Sequence, residues 1–105
     1  MSMNRLELLK EYYHQDPNDP FNVYALAIEY QKSDVDRSKE YFIELLDRHP
    51  DYLPSYYHAA KLFVELNQKE KAIAIYEKGI ALAKAKKEFK TLRELQSAFD
   101  ELMFE

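Results

Sequence analysis

The sequence predicts an all-α domain of helix pairs, and three observations carry that expectation. One glycine and four prolines in 105 residues leave little for hairpins or glycine-rich loops. Alanine, leucine, glutamate and lysine dominate the stretches between turn signals, and the apolar residues among them recur every three or four positions rather than every two. Turn-forming clusters at 16–20, 33–34, 50–54, 67–68 and 86–88 cut the chain into six segments of helical length.

The first segment, 4–15, carries Leu6, Leu9 and Tyr13 on one stripe with Leu8 and Tyr12 beside it, so it should need neighbours on more than one side. Asp19 before Pro20 is an N-cap and first-turn pair that opens the second segment, 21–32, with Val23, Leu26, Ala27 and Tyr30 inward. Ser33 and Asp34 cap a third segment that runs to His49 and turns Ser38, Phe42, Leu45 and Leu46 to the core. Pro50 breaks it, and Pro54 is tolerable in the first turn of the fourth segment, which runs to Leu66. Asn67 with Glu70 reads as a capping box for the fifth, whose inward residues are Ala72, Ile73, Tyr76 and Ile80. A last helix spans about 89–103.

Self-comparison shows a repeat. A shift of 33 places Leu9 on Phe42, Pro17 on Pro50, Val23 on Tyr56, Leu26 on Ala59, Ala27 on Ala60 and Tyr30 on Phe63. Beyond the next turn the shift becomes 34, and Ser38 falls on Ala72 and Phe42 on Tyr76. The missing residue lies between Tyr30 and Ser38, which predicts a shorter turn in the first repeat. The small residues Ala27, Ser38, Ala60 and Ala72 would let helix backbones approach where they cross, and the large ones would fill the space around them.

The order Tyr56, Ala59-Ala60, Phe63, then Ala72 and Tyr76 resembles the tetratricopeptide repeat, a pair of antiparallel helices crossing at small side chains. The resemblance departs where Val23 and Tyr56 replace the usual tryptophan, where Leu45 occupies a second small site that Gly79 keeps, and where Lys84 replaces the closing proline. It implies a short right-handed α-solenoid of about six helices in a single domain, 1–105. That domain comprises an N-terminal half-repeat over 1–17, repeats at 20–52 and 53–86, and a capping helix at 89–105. Gln96 at the close-contact site of the last helix fits a cap that no helix follows.

The resemblance also implies function: such repeats are surfaces for other proteins. The concave-face candidates are Phe21, Tyr24, Ile28 and Gln31 on the second segment, Tyr57, His58, Lys61 and Val64 on the fourth, and Lys90 and Arg93 on the last. Tyr24 and Tyr57 would serve as apolar anchors, and Lys61, Lys90 and Arg93 as an electropositive end, for an extended peptide or a helix of a partner protein. One subgroup of the family clamps the carboxylate terminus of chaperone tails. At the matching places stand Tyr24, Ile28, His58, Lys90 and Glu94, of which only Lys90 fits, so that site does not transfer.

Composition bounds the alternatives. A net charge of −4 argues against general affinity for nucleic acid. The basic cluster Lys84, Lys86, Lys87, Lys90 and Arg93 around Phe89 could serve a nucleic-acid accessory role. Its plainer reading is cations gathered at a helix C-terminus. There is no cysteine, hence no disulfide or thiolate site, and no stretch approaches the ~20 apolar residues of a membrane span. Charges interrupt the apolar residues after Met1 too early for a secretory leader, and a cytoplasmic setting is expected. His14, His49 and His58 form no zinc-hydrolase spacing, and the oxygens of 16–19 lack the glycine and distal glutamate of a calcium loop. No enzyme activity, metal or cofactor is expected. A homodimer through the apolar end at Leu102, Met103 and Phe104 is the second reading.

Overall fold

The computed structural model describes residues 4–105, so residues 1–3, the start of the expected half-repeat and of the stretch read against a leader, lie outside it. Six helices follow one another: α1 (Arg5–Gln15), α2 (Pro20–Tyr30), α3 (Val35–Arg48), α4 (Pro54–Glu65), α5 (Lys69–Lys86) and α6 (Phe89–Met103). Two compact units divide the chain after Tyr52. In the first, α2 packs on α1 and on α3; in the second, α5 packs on α4 and on α6.

Short polar side chains start the helices of the first unit. Asn4 accepts the Glu7 N–H at 2.8 Å, Asp19 that of Phe21 at 2.9 Å and Asp34 that of Arg37 at 3.2 Å, each satisfying a donor that a helix start leaves open. Pro20 and Pro54 occupy first turns, where their missing N–H costs nothing. Asn67 does not act as the expected N-cap. It adopts φ 60° and ends α4, with its own N–H on Val64 O at 3.0 Å and the Gln68 N–H on Phe63 O at 2.9 Å. Those two bonds form a Schellman stop, and asparagine is tolerated at its left-handed residue. Gln68 is then the residue before α5 and makes no side-chain cap bond. Lys87 closes α5 the same way, at φ 59°, with bonds to Lys84 O and from Glu88 to Ala83 O.

The first unit buries Leu9, Val23, Ala25, Leu26, Ala27, Tyr30, Ser38, Phe42 and Leu45. Its α1 is covered on one side only: Leu9 is buried and Leu6 and Tyr13 pack against it, whereas Leu8 and Tyr12 stay 37% and 45% exposed, contrary to the wide stripe expected. Neighbours on α2 and α3 hold α1 down. Arg5 pairs with Glu29 at 3.4 Å, and the Tyr13 hydroxyl donates to Glu44 at 3.1 Å.

The second unit buries Leu53, Ser55, Tyr56, Ala59, Ala60, Leu62, Phe63, Ala72, Ile75, Tyr76, Gly79, Ile80, Ala83, Leu95 and Leu102. Ile75 rather than Ile73 is the buried isoleucine of the first half of α5. Gly79 sits where α4, α5 and α6 converge: a Cβ there would lie 2.8 Å from Tyr56 Cβ and 3.2 Å from Leu95 Cδ1. Only a missing side chain permits that approach. Gln96, the residue at the expected close-contact site of α6, is half-buried and donates along its own helix to Asp100 at 3.0 Å.

The turn between the helices of the first pair reverses the expectation. The stretch from Tyr30 to Ser38 is one residue shorter than that from Phe63 to Ala72, yet the turn at 31–34 is longer than the turn at 66–68. The residue is lost from the helix instead: α2 stops at Tyr30, while α4 continues two residues past the equivalent Phe63. Early termination has a consequence inside the core. The Gln31 N–H bonds Ile28 O instead of Ala27 O, and the orphaned Ala27 carbonyl accepts the fully buried Ser38 hydroxyl at 2.6 Å.

Candidate partner-binding face

Within the second unit, α4 and α6 leave an open face between them. Tyr57 follows the core residue Tyr56 by one position on α4, and Lys61 and Val64 continue the same stripe at helical spacing. From α6 comes the stripe Glu94, Ser97, Ala98 and Glu101, with Glu105 just beyond its end. Two adjoining clefts result. One, of about 150 Å³, is lined by Tyr57, Lys61, Val64, Glu65, Tyr76, Ala98, Glu101, Leu102 and Glu105. The other, of about 350 Å³, shares Tyr57, Ala98 and Glu101 and adds Arg93, Glu94 and Ser97.

The Tyr57 ring is half-buried, with the Lys61 ammonium 5.5 Å from its centroid and the His58 ring edge-on at 5.5 Å. Burial, and secondarily the charge of Lys61, hold the His58 pKa below that of a free histidine. Tyr76 forms part of the cleft wall although only 2% exposed. Burial, with Tyr57 and Glu101 nearby, pushes its phenol up to about 12.

Of the ten residues expected on the concave face, Tyr57, Lys61, Val64 and Arg93 are thus brought together. His58 stands beside Tyr57 without lining either cleft, and Lys90 lies exposed in the first turn of α6. In the first unit, Phe21 is 58% exposed, and Ile28 and Gln31 are half-buried. Tyr24 is half-buried too, against Tyr52 in an edge-on contact at 5.8 Å. A cleft of that unit lies elsewhere, among Lys10, Tyr13, Leu26, Tyr30, Arg37 and Tyr41, with Tyr30 and Tyr41 stacked at 5.7 Å.

The electropositive end expected from Lys61, Lys90 and Arg93 does not form. Glu65, Glu94, Glu101 and Glu105 line the clefts against Lys61 and Arg93 alone. The spacing of Glu94, Ala98 and Glu101 puts them on one face of α6, with Glu105 just past its end, a periodicity readable in the sequence once its basic neighbours are set aside. The apolar end expected for self-association is also smaller: Leu102 is 4% exposed and lines the cleft, leaving Met103 at 51% and Phe104 at 90%.

Among the described residues, no group of three histidine, aspartate or glutamate side chains is placed to hold a metal, and no helix is long and apolar enough to cross a membrane. Helices packed in sequential pairs, with small residues at the crossings and an open face between alternate helices, define a helical-repeat protein. Comparison with solved structures makes the class specific. A solution structure of a tetratricopeptide repeat domain protein from Salinibacter ruber matches with a TM-score of 0.78 and 42% identity, over 83% of this chain and 89% of that one. A crystal structure of a tetratricopeptide repeat domain protein from the same organism matches with a TM-score of 0.76 and 41% identity, over 81% and 96%. No family model and no curated protein matches. The chain belongs to the tetratricopeptide repeat family, whose domains generally act as protein–protein interaction modules.

Proposed function

We propose that the chain is a non-catalytic interaction module that holds a peptide or helix of a partner protein on the face between α4 and α6. Tyr57, Lys61, Val64 and Arg93 contact the partner, with His58 and Lys90 at the margin. Phe21, Tyr24, Ile28 and Gln31 are the corresponding residues of α2 in the first unit. The observation that carries this reading is the pair of adjoining clefts, in which a half-buried aromatic ring and the half-buried apolar groups of Val64 and Ala98 stand open between charged rims, with the buried Leu102 in the wall. Affinity capture from source lysate with the wild type and a Tyr57→Ala, Val64→Ala variant tests it. Loss of specific partners from the variant is expected, and identical partner lists would contradict it.

Self-association is a second reading, favoured by the exposure of Phe104 and Met103. Sedimentation across a concentration range decides it: a dimer that Phe104→Ser dissolves supports it, and a monomer throughout removes it.

A further inference from the structure

The face between α4 and α6 is anionic, and its charges are unspent. Glu65, Glu94, Glu101 and Glu105 stand against Lys61 and Arg93, and among the described residues none of these six groups enters an ion pair. In the first unit Glu29, Asp34 and Glu44 are each paired with a lysine or arginine, while Glu11, Asp36, Glu40 and Asp47 are in no such pair among the described residues. Solvated carboxylates alone are ordinary on a surface. Here a second group points to a ligand. Tyr76 is 2% exposed and lines the cleft, yet its hydroxyl makes no hydrogen bond to any described residue. The ring is packed in the core while the hydroxyl opens on the cleft, so its hydrogen-bonding capacity faces whatever enters there. Kept protonated by its surroundings, it offers lone pairs to a donor entering the cleft. The Tyr57 ring beside it already attracts a cation, the Lys61 ammonium at 5.5 Å.

We infer that the partner is a cationic segment of another protein, an apolar side chain flanked by lysine or arginine, with its positive groups among Glu94, Glu101 and the Tyr76 hydroxyl and its apolar group on Val64, Ala98 and Leu102. This inference rests on the reading of the face as a partner-binding surface and names the chemistry of what it binds. Acidic tails and nucleic-acid phosphates meet an excess of carboxylates there and are repelled. Ammonium and guanidinium groups find acceptors only, matching their donor-only chemistry.

A library of random peptides displayed on phage, selected on the whole chain at low salt, tests this. Amide shift mapping of the selected peptides accompanies the selection. The expected peptides are rich in lysine and arginine around an apolar residue, and they shift the amides of Lys61, Ala98 and Glu101. Their affinity falls by about tenfold or more in a Glu94→Lys, Glu101→Lys variant and similarly at high salt. Tyr76→Phe, which removes a hydroxyl that bonds nothing in the fold, weakens binding by roughly three- to tenfold. Acidic or neutral peptides that shift the same amides would overturn the cationic assignment while leaving the face as a binding surface. Basic peptides that shift amides elsewhere, or a selection that enriches nothing, would overturn both.

Discussion

The two helix pairs solve the same crossing in opposite ways. In α4–α5 the crossing is made by a large residue on one helix and none on the other: Tyr56 lies over Gly79, where an added Cβ would meet its Cβ at 2.8 Å. At the equivalent positions of α2–α3 stand Val23 and Leu45, both fully buried. Volume is divided between two buried side chains in the first pair and concentrated in one in the second. The pairs differ again at the other small site. Ser38 supplies a hydrogen bond that the shortened α2 lacks, whereas Ala72 needs no hydroxyl because Ala60 lies well inside the longer α4.

The largest effect should come from Gly79→Leu, at about 3 kcal/mol of lost stability in chemical denaturation. Adding Tyr56→Val should recover at least half, because the second pair then carries the volumes of the first. Failure to recover would show that the equivalence holds only in the sequence. Ser38→Ala comes next. It should cost roughly 1–3 kcal/mol, since the Ala27 carbonyl stays buried without a donor. Ala72→Ser in the second pair should bring no comparable gain, and a gain would break the contrast.

Alkaline titration sharpens the comparison through Tyr76. Burial raises its folded pKa from the ordinary phenol value of 10.0 to about 12, so its contribution is complete below the unfolded pKa and is lost as pH rises through the folded one. Stability should therefore decline across that window, and Tyr76→Phe should flatten the decline measured by denaturant midpoint. The smallest effect is at the stop of α5: Lys87→Gly should raise stability by roughly 0.5–1 kcal/mol by relieving φ 59°.

Much of the fold was legible in the residues. Asp19-Pro20 and Asp34 start helices as their chemistry requires, and the inward positions of α2, α3 and α4 follow from spacing. Asn67 was misleading because asparagine serves two purposes, capping a helix start and tolerating a left-handed stop, and only the backbone path selects between them. The turn at 31–34 could not be read from the repeat offset, which counts missing residues without saying whether helix or turn loses them. Tyr57, Lys61 and Val64 were readable as a stripe one position from the core. Tyr76 was not, because its position marks it as core and only the packing of α6 leaves its hydroxyl beside the cleft.

The central claim, that a partner occupies the face between α4 and α6, is tested most directly by site-specific photo-crosslinking. A photoreactive residue replaces Ala98 in one variant and the solvent-exposed Glu77 of α5 in another. Irradiation in source lysate should give a discrete protein adduct from position 98 and none from position 77. Adducts of equal yield from both positions, or from 77 alone, would contradict the account.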